Sequence, residues 1–103
     1  MLVNVNQVLK SFAGEAMKDN DGQGNVIDAT VKTAIVNAIL SPVQKESGID
    51  KVKKFNLAQK VYGSNEIDLT AEEISLIKER VGDTFAPIIV GQIWNILEGK
   101  NGL

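Results

Sequence analysis

The chain has 103 residues, 44% apolar and 23% charged, with a formal net charge of −2. That composition excludes a disordered or collagen-like chain and predicts one globular domain over residues 1–103 around a single modest core. Cysteine and histidine are both absent, which excludes disulfides and thiolate metal sites and removes the commonest general base and transition-metal ligand.

Residues 2–13 carry Leu2, Val5, Val8, Leu9 and Phe12, a helical spacing that predicts a short first helix. Asn4 and Gln7 are placed to box its start and Gly14 to end it, while Val3 and Val5 also permit a strand. Residues 14–27 read as a small hairpin or a polar loop. Asp19-Asn20-Asp21-Gly22-Gln23-Gly24 is dense in turn formers, and Ala16-Met17 and Val26-Ile27 flank it as candidate strands.

Asp28 is the expected N-cap of a helix over 29–40. Val31, Ala34, Ile35, Ala38 and Ile39 form its inward stripe and Ser41-Pro42 ends it. A third helix is predicted over 49–62. Val52, Phe55, Ala58 and Tyr62 lie on one side, with Leu57 and Val61 beside them, and Gly63 follows. Thr70-Ala71-Glu72-Glu73 is a capping box, opening a helix with Ile74, Ile77 and Val81 inward that stops at Gly82. Asp83 or Thr84 caps the last helix, Pro87 sits in its first turn, and Gly99 ends it. These elements predict an all-α fold, a compact bundle of four or five short helices with a hairpin or loop near residues 14–27.

Few residue patterns point to chemistry. Asp19, Asp21, Gln23 and Gly24 match the opening of an EF-hand loop, and Val26 fits its apolar position. Position 12 is Thr30, which has no bidentate carboxylate, and Asp28 is better used as a cap. An EF-hand-like calcium module is therefore an alternative, and a polar turn the leading reading. Ser75-Leu76-Ile77-Lys78 matches the Ser-x-x-Lys pattern of penicillin-binding enzymes but lacks that family's companion elements. The adjacent carboxylates Glu72 and Glu73 complement a helix dipole. Gly22-Gln23-Gly24 lacks the rest of a phosphate loop. No catalytic residue, cofactor or metal is expected, and the chain reads as a non-enzyme.

The last helix is the informative segment, because Phe85, Ile88, Ile89, Val90, Ile93, Trp94, Ile96 and Leu97 make it apolar almost all round. One face fills a core. The surplus, Ile88, Val90, Trp94 and Leu97, is the candidate interface for a homo-oligomer, a dimer first of all, or for another protein. Lys51, Lys53, Lys54 and Lys60 are the only support for a DNA-binding helix-turn-helix, and the acidic balance makes nucleic acid an unexpected partner. The apolar run Pro87–Val90 is far short of the ~20 residues that span a bilayer. Without a basic, apolar leader at Met1–Asn6, the expected location is the cytoplasm.

The segments Phe55–Tyr62, Glu66–Ile74 and Phe85–Trp94, with the loop and helix from Lys18 to Leu40, resemble small proteins encoded in phage and prophage genomes. That resemblance covers most of the chain and carries over no functional residue. It implies a viral accessory protein acting in a bacterial host cytoplasm. The resulting expectation is a protein-binding or regulatory module that engages or inhibits a host factor, host defence included. A structural or assembly protein of a virus particle is the rival.

Overall fold

A computed structural model of the chain describes residues 1–100. Strand β1 (Leu2–Asn4) opens it, and β2 (Lys18–Asn20) and β3 (Val26–Asp28) form a hairpin. Helices α1 (Val31–Leu40) and α2 (Gly48–Tyr62) follow. Strand β4 (Glu66–Asp68) then precedes α3 (Ala71–Thr84) and α4 (Pro87–Leu97). Two separate two-stranded antiparallel sheets, β1–β4 and β2–β3, stand beside the four helices. The fold is α+β, which corrects the all-α helical bundle expected from the sequence.

The largest difference lies at the start of the chain. Residues 2–9 are extended, and the predicted first helix does not form. Val3 and Val5 are both buried while Leu2, Asn4 and Asn6 face solvent. This period-2 alternation of β-branched residues prevails over the weaker helical spacing. Val3 pairs with Ile67 in register, so one inward side chain from each strand enters the core. Beyond β1 the arm keeps bonding. Its carbonyls at Gln7 and Val5 accept the amides of Val31 and Lys32. These are the first two N–H groups of α1, which have no partner inside the helix. Thr30 Oγ1 accepts the third, from Thr33. Thr30 therefore holds the N-cap position expected of Asp28, which instead sits in β3 and pairs with Lys18.

The hairpin forms where the turn formers predicted it, with its strands two residues later on the first side. Around it Leu9 donates to the Ala29 carbonyl, Ala29 to Met17 and Met17 to Leu9, all at 2.8 Å. Three chain segments thus close a ring of main-chain hydrogen bonds. A side chain supplies the next link. Gln92 of α4 is buried, and its amide accepts from Lys10 N–H and donates to the Lys10 carbonyl, both at 2.8 Å. Across 82 residues of sequence, this primary amide does for Lys10 what a neighbouring strand would do.

The helices match their sequence patterns more closely. Ser47 caps α2. Thr70 and Glu73 close both bonds of the capping box at the start of α3. That helix continues through Gly82 to Thr84, past the predicted stop, and Phe85 is its C-cap. Consequently Asp83 and Thr84 do not cap α4; Ala86 occupies that position with no side-chain bond. The core is one cluster drawn from all four helices, β1, β4 and the N-terminal arm, with Val5, Ile35, Val61, Ile77, Val81 and Ile93 fully enclosed. Arg80, also buried, donates to the Ala38 carbonyl at the end of α1, where a cation complements the helix dipole.

Gln92→Met keeps the volume of the side chain and removes both Lys10 bonds. It should cost about 1–3 kcal/mol in a denaturant melt, the penalty for leaving covered main-chain groups unpaired. Thr70→Ala should cost about 0.5–2 kcal/mol. Partial burial pushes the Glu73 carboxyl up, but the Thr70 amide and the Lys60 ammonium outweigh that push and hold it below the ordinary carboxylate range. A depressed carboxylate stabilises the fold fully above its unfolded pKa of about 4.3, and the contribution fades as pH falls through the lower folded value. The stability deficit of Glu73→Ala should therefore shrink as urea melts are stepped from about pH 6 down to 3. A deficit independent of pH would show that the carboxylate's charge plays no part.

Candidate functional site

The apolar surplus expected on α4 is largely absorbed. Leu97 is buried, and Val90 is half-buried against the core. Ile88 is half-buried. Trp94 keeps 38% of its surface exposed, but its ring is engaged. The indole N–H donates to the Lys78 carbonyl at 3.2 Å, and the Lys78 ammonium lies 5.2 Å from the ring centroid. Lys78 also pairs with Glu98. A Cβ placed at Gly82 would meet Trp94 Cζ2 at 3.8 Å, an ordinary contact, so the ring packs beside this turn of α3. Trp94 thus joins α3 to α4. The four residues do not assemble into one free patch.

Exposed apolar side chains lie on α1 and α2, and also on the arm and the hairpin at Leu2, Phe12 and Val26. Leu57, Ala58 and Val61 turn inward from α2, while Val52 (60% exposed), Phe55 (47%) and Tyr62 (71%) face out. The sequence pattern instead places Val52, Phe55, Ala58 and Tyr62 on one side with Leu57 and Val61 beside them; of the first set only Ala58 is buried. What divides them is Lys54. It sits on the inward side, where its ammonium pairs with Glu46 of the α1–α2 connection and both side chains are largely buried. The helix is therefore rotated so that Leu57 and Val61 enter the core, and Phe55 and Tyr62 come to its flank.

That flank meets α1. Lys32 reaches across to the Tyr62 carbonyl and Asn65 Oδ1, and its ammonium stands 5.9 Å from the Tyr62 ring centroid. The start of α1 is thus beside the end of α2, and the two helices run antiparallel. Lys32, Val36 and Leu40 are spaced i, i+4, i+8, so they share the side of α1 that faces this seam. Leu40 lies about 12 Å along the axis from Lys32, level with the Phe55 region of α2. Helical spacing thus places Val36 and Leu40 of α1, and Phe55 and Tyr62 of α2, on the flanks of this seam. Val43 and Val52 extend the apolar surface beyond it. Leu40 (55% exposed) and Val43 (37%) have no covering element.

Lys51 lies i−4 from Phe55 on the same row. Lys32, at the far end, is bonded to Tyr62 and Asn65, and Lys53 stands on the opposite flank of α2, in the cleft with α3. Asp50 is i−4 from Lys54 and so lies on the other side of the helix. No carboxylate pairs with Lys32, Lys51 or Lys53 among the described residues.

The concave surfaces carry less. A cleft of about 450 Å³ between α2 and α3 is lined by Lys53, Asn56, Leu57, Lys60, Glu72, Glu73 and Leu76. Its central charges, Lys60 and Glu73, neutralise each other at 2.9 Å. Ser75 and Lys78 of the Ser-x-x-Lys match lie on α3, where Lys78 is committed to Trp94 and Glu98. In the acidic turn, Asn25 Nδ2 and the amides of Gln23 and Asn25 donate to the Asp21 carboxylate. The Asn25 side chain leads in holding that carboxyl below its usual range. Strands flank this turn, not the helices of an EF-hand, and the carboxylate's lone pairs are spent on closing it. Among the described residues no group of three or more His, Cys, Asp or Glu converges to hold a metal ion. No helix there is long and apolar enough to cross a membrane.

The chain matches no protein-family model, no curated protein and no solved structure.

The two aromatic sites should respond differently to truncation. Phe55→Gln should change folding stability by less than about 1 kcal/mol, because the ring is half in solvent and nothing polar depends on it. Trp94→Ala removes a packed ring and an indole hydrogen bond and should cost about 1–3 kcal/mol, below the value for a fully enclosed aromatic. Thermal and urea melts compare them. A larger loss for Phe55→Gln than for Trp94→Ala would mean that the α1–α2 seam is part of the core.

Proposed function

We propose that this chain is a non-enzymatic protein-binding module that docks another protein along the seam of α1 and α2. One observation carries the reading. Leu40, Val52, Phe55 and Tyr62 are all exposed on two helices that pack side by side. Contiguous apolar surface of this kind is uncommon on monomers unless it binds something. Paired helices accept apolar side chains of a partner in the way cores do.

The resemblance to phage and prophage proteins suggests the setting. On that reading the chain is a viral accessory protein, and the partner is a host factor in a bacterial cytoplasm. The site then works by occupancy, blocking or recruiting the surface it covers.

Affinity capture from a bacterial lysate with the wild type and a Val52→Gln/Phe55→Gln double variant is the test. The expected outcome is a protein retained at stoichiometric level by the wild type and lost with the variant, whose thermal melt is preserved. Retention unchanged by the double variant, or lost only on Trp94→Ala, would move the docking surface away from the seam.

A further inference from the structure

A strand at the rim of a sheet offers its main-chain N–H and C=O groups to any strand that comes beside it, and folds usually blunt such edges. The two sheets give this protein an outer edge on each of β1, β2, β3 and β4. In β1–β4, Met1 and Leu69 exchange main-chain bonds and the Val5 amide donates to the Asn65 carbonyl. By alternation the main chains of Leu2, Asn4, Glu66 and Asp68 then point outward. Asn4 gives its carbonyl to the Gln7 side chain, and β4 sets a carboxylate at both of its outward positions. In the hairpin, the Ala29 amide donates to Met17 and the Asp21 amide to Asn25. Lys18 and Asn20 therefore point outward on β2, and Val26 and Asp28 on β3. The Asn20 amide is turned onto the Asp19 carboxylate. The β3 edge stays open: among the described residues the main chains of Val26 and Asp28 have no partner outside the hairpin.

We infer that two copies of the chain join through this edge into one four-stranded antiparallel sheet, ordered β2–β3–β3–β2. The edge is complementary to itself. Antiparallel strands centred on Ile27 bring Val26 of each copy opposite Asp28 of the other, and each such pair exchanges both of its main-chain bonds. Ile27 meets its own counterpart at the closer, non-bonded position between them, covering part of a side chain that is 42% exposed in the single chain. Charge does not oppose the pairing. Asp28 is already matched by Lys18 on the neighbouring strand, and its new neighbour is a valine. On the opposite face both β3 strands stand between the Asp19 carboxylates. The hairpin also lacks cover, since every residue of β2 and β3 is exposed, and a two-stranded ribbon gains stability from further strands. Assembly stops at two copies, because β2 forms both rims of the joined sheet and its Asn20 amide is spent.

So small a contact associates weakly, with a Kd on the order of 100 μM. Sedimentation equilibrium of the full chain from about 10 μM to 1 mM should show the mass rising toward twice that of one chain and no further. Amide exchange over the same range reads the edge. The Val26 and Asp28 amides should become protected as concentration rises, while the Lys18 amide on the outer edge of β2 stays fast. Val26→Pro removes an outward donor and no bond of the hairpin. Ile27→Lys sets two ammonium groups against each other on the axis. Each should weaken association about tenfold or more. Either variant suffices, because both side chains are exposed and their thermal melts should match the wild type. Val52→Gln/Phe55→Gln should leave association unchanged, which separates this edge from the seam of α1 and α2. A chain that stays monomeric at ~1 mM, near the weak limit of specific association, overturns the inference. So does a dimer that keeps its affinity in both β3 variants, one lost instead on Val52→Gln/Phe55→Gln or Trp94→Ala, or growth past two copies.

Discussion

The side-chain amide of Gln92 sets where the free surface of this protein lies. By bonding to both main-chain groups of Lys10, it fixes the N-terminal arm against α4. Arm and helix then share a surface, and Leu9, Met17, Phe85 and Ile89 line one narrow cleft between them. The apolar excess of α4 is consumed there, in the core, and against α3 through Trp94. An α4 without the arm would expose that excess. With the arm in place, the apolar side chains left exposed lie elsewhere, among them Leu40, Val52, Phe55 and Tyr62 of α1 and α2 and Phe12 and Val26 of the arm and hairpin.

The arm is held at its other end by α1. Carbonyls of Val5 and Gln7 accept the leading amides of that helix, so an extended segment performs the capping that side chains usually perform. One stretch of irregular chain thus satisfies the start of α1 and shields α4. Both roles require it to be extended. A helix over 2–13 would have kept its carbonyls for itself and left the α1 amides without partners. This constraint belongs to the assembled fold and explains why local spacing misread the segment.

Other features were plainer in the sequence. The capping box at Thr70, Pro87 in the first turn of α4, the Ser41-Pro42 stop and the hairpin turn each depend on residues within a few positions of one another. Their chemistry is local and readable. Strand β4 was not, because a three-residue strand contributes only Ile67 to the core, too little to register as alternation. The phase of α2 was obscured by a different cause. Lys54 stands on its inward side, and a lysine there contradicts the simple apolar stripe until Glu46 is known to meet it. With the phase unresolved, Phe55 and Tyr62 read as core companions of Ala58. The apolar excess of α4 is plain in the sequence, but its cover is not: the arm meets it through Gln92 and α3 through Trp94, contacts that no local pattern announces.

The same ion pair bears on how the seam binds. The connection from α1 to α2 contains Pro42, has Lys45 at φ +59°, and ends at the Ser47 cap. A non-glycine residue in the left-handed region costs about 1–2 kcal/mol, so something must hold it. Burial of Glu46 against Lys54, one residue further on, does so. Removing either partner leaves a largely buried charge alone, which is far more costly than the strain itself. The connection is thereby locked, and the spacing between α1 and α2 is set before any partner arrives. A seam whose helices are already fixed loses little conformational entropy on docking, so more of the contact free energy appears as affinity. The residues that face solvent and the residues that hold the helices are therefore different sets: Leu40, Val52, Phe55 and Tyr62 are exposed, while the largely buried Glu46 and Lys54 tie the connection to α2.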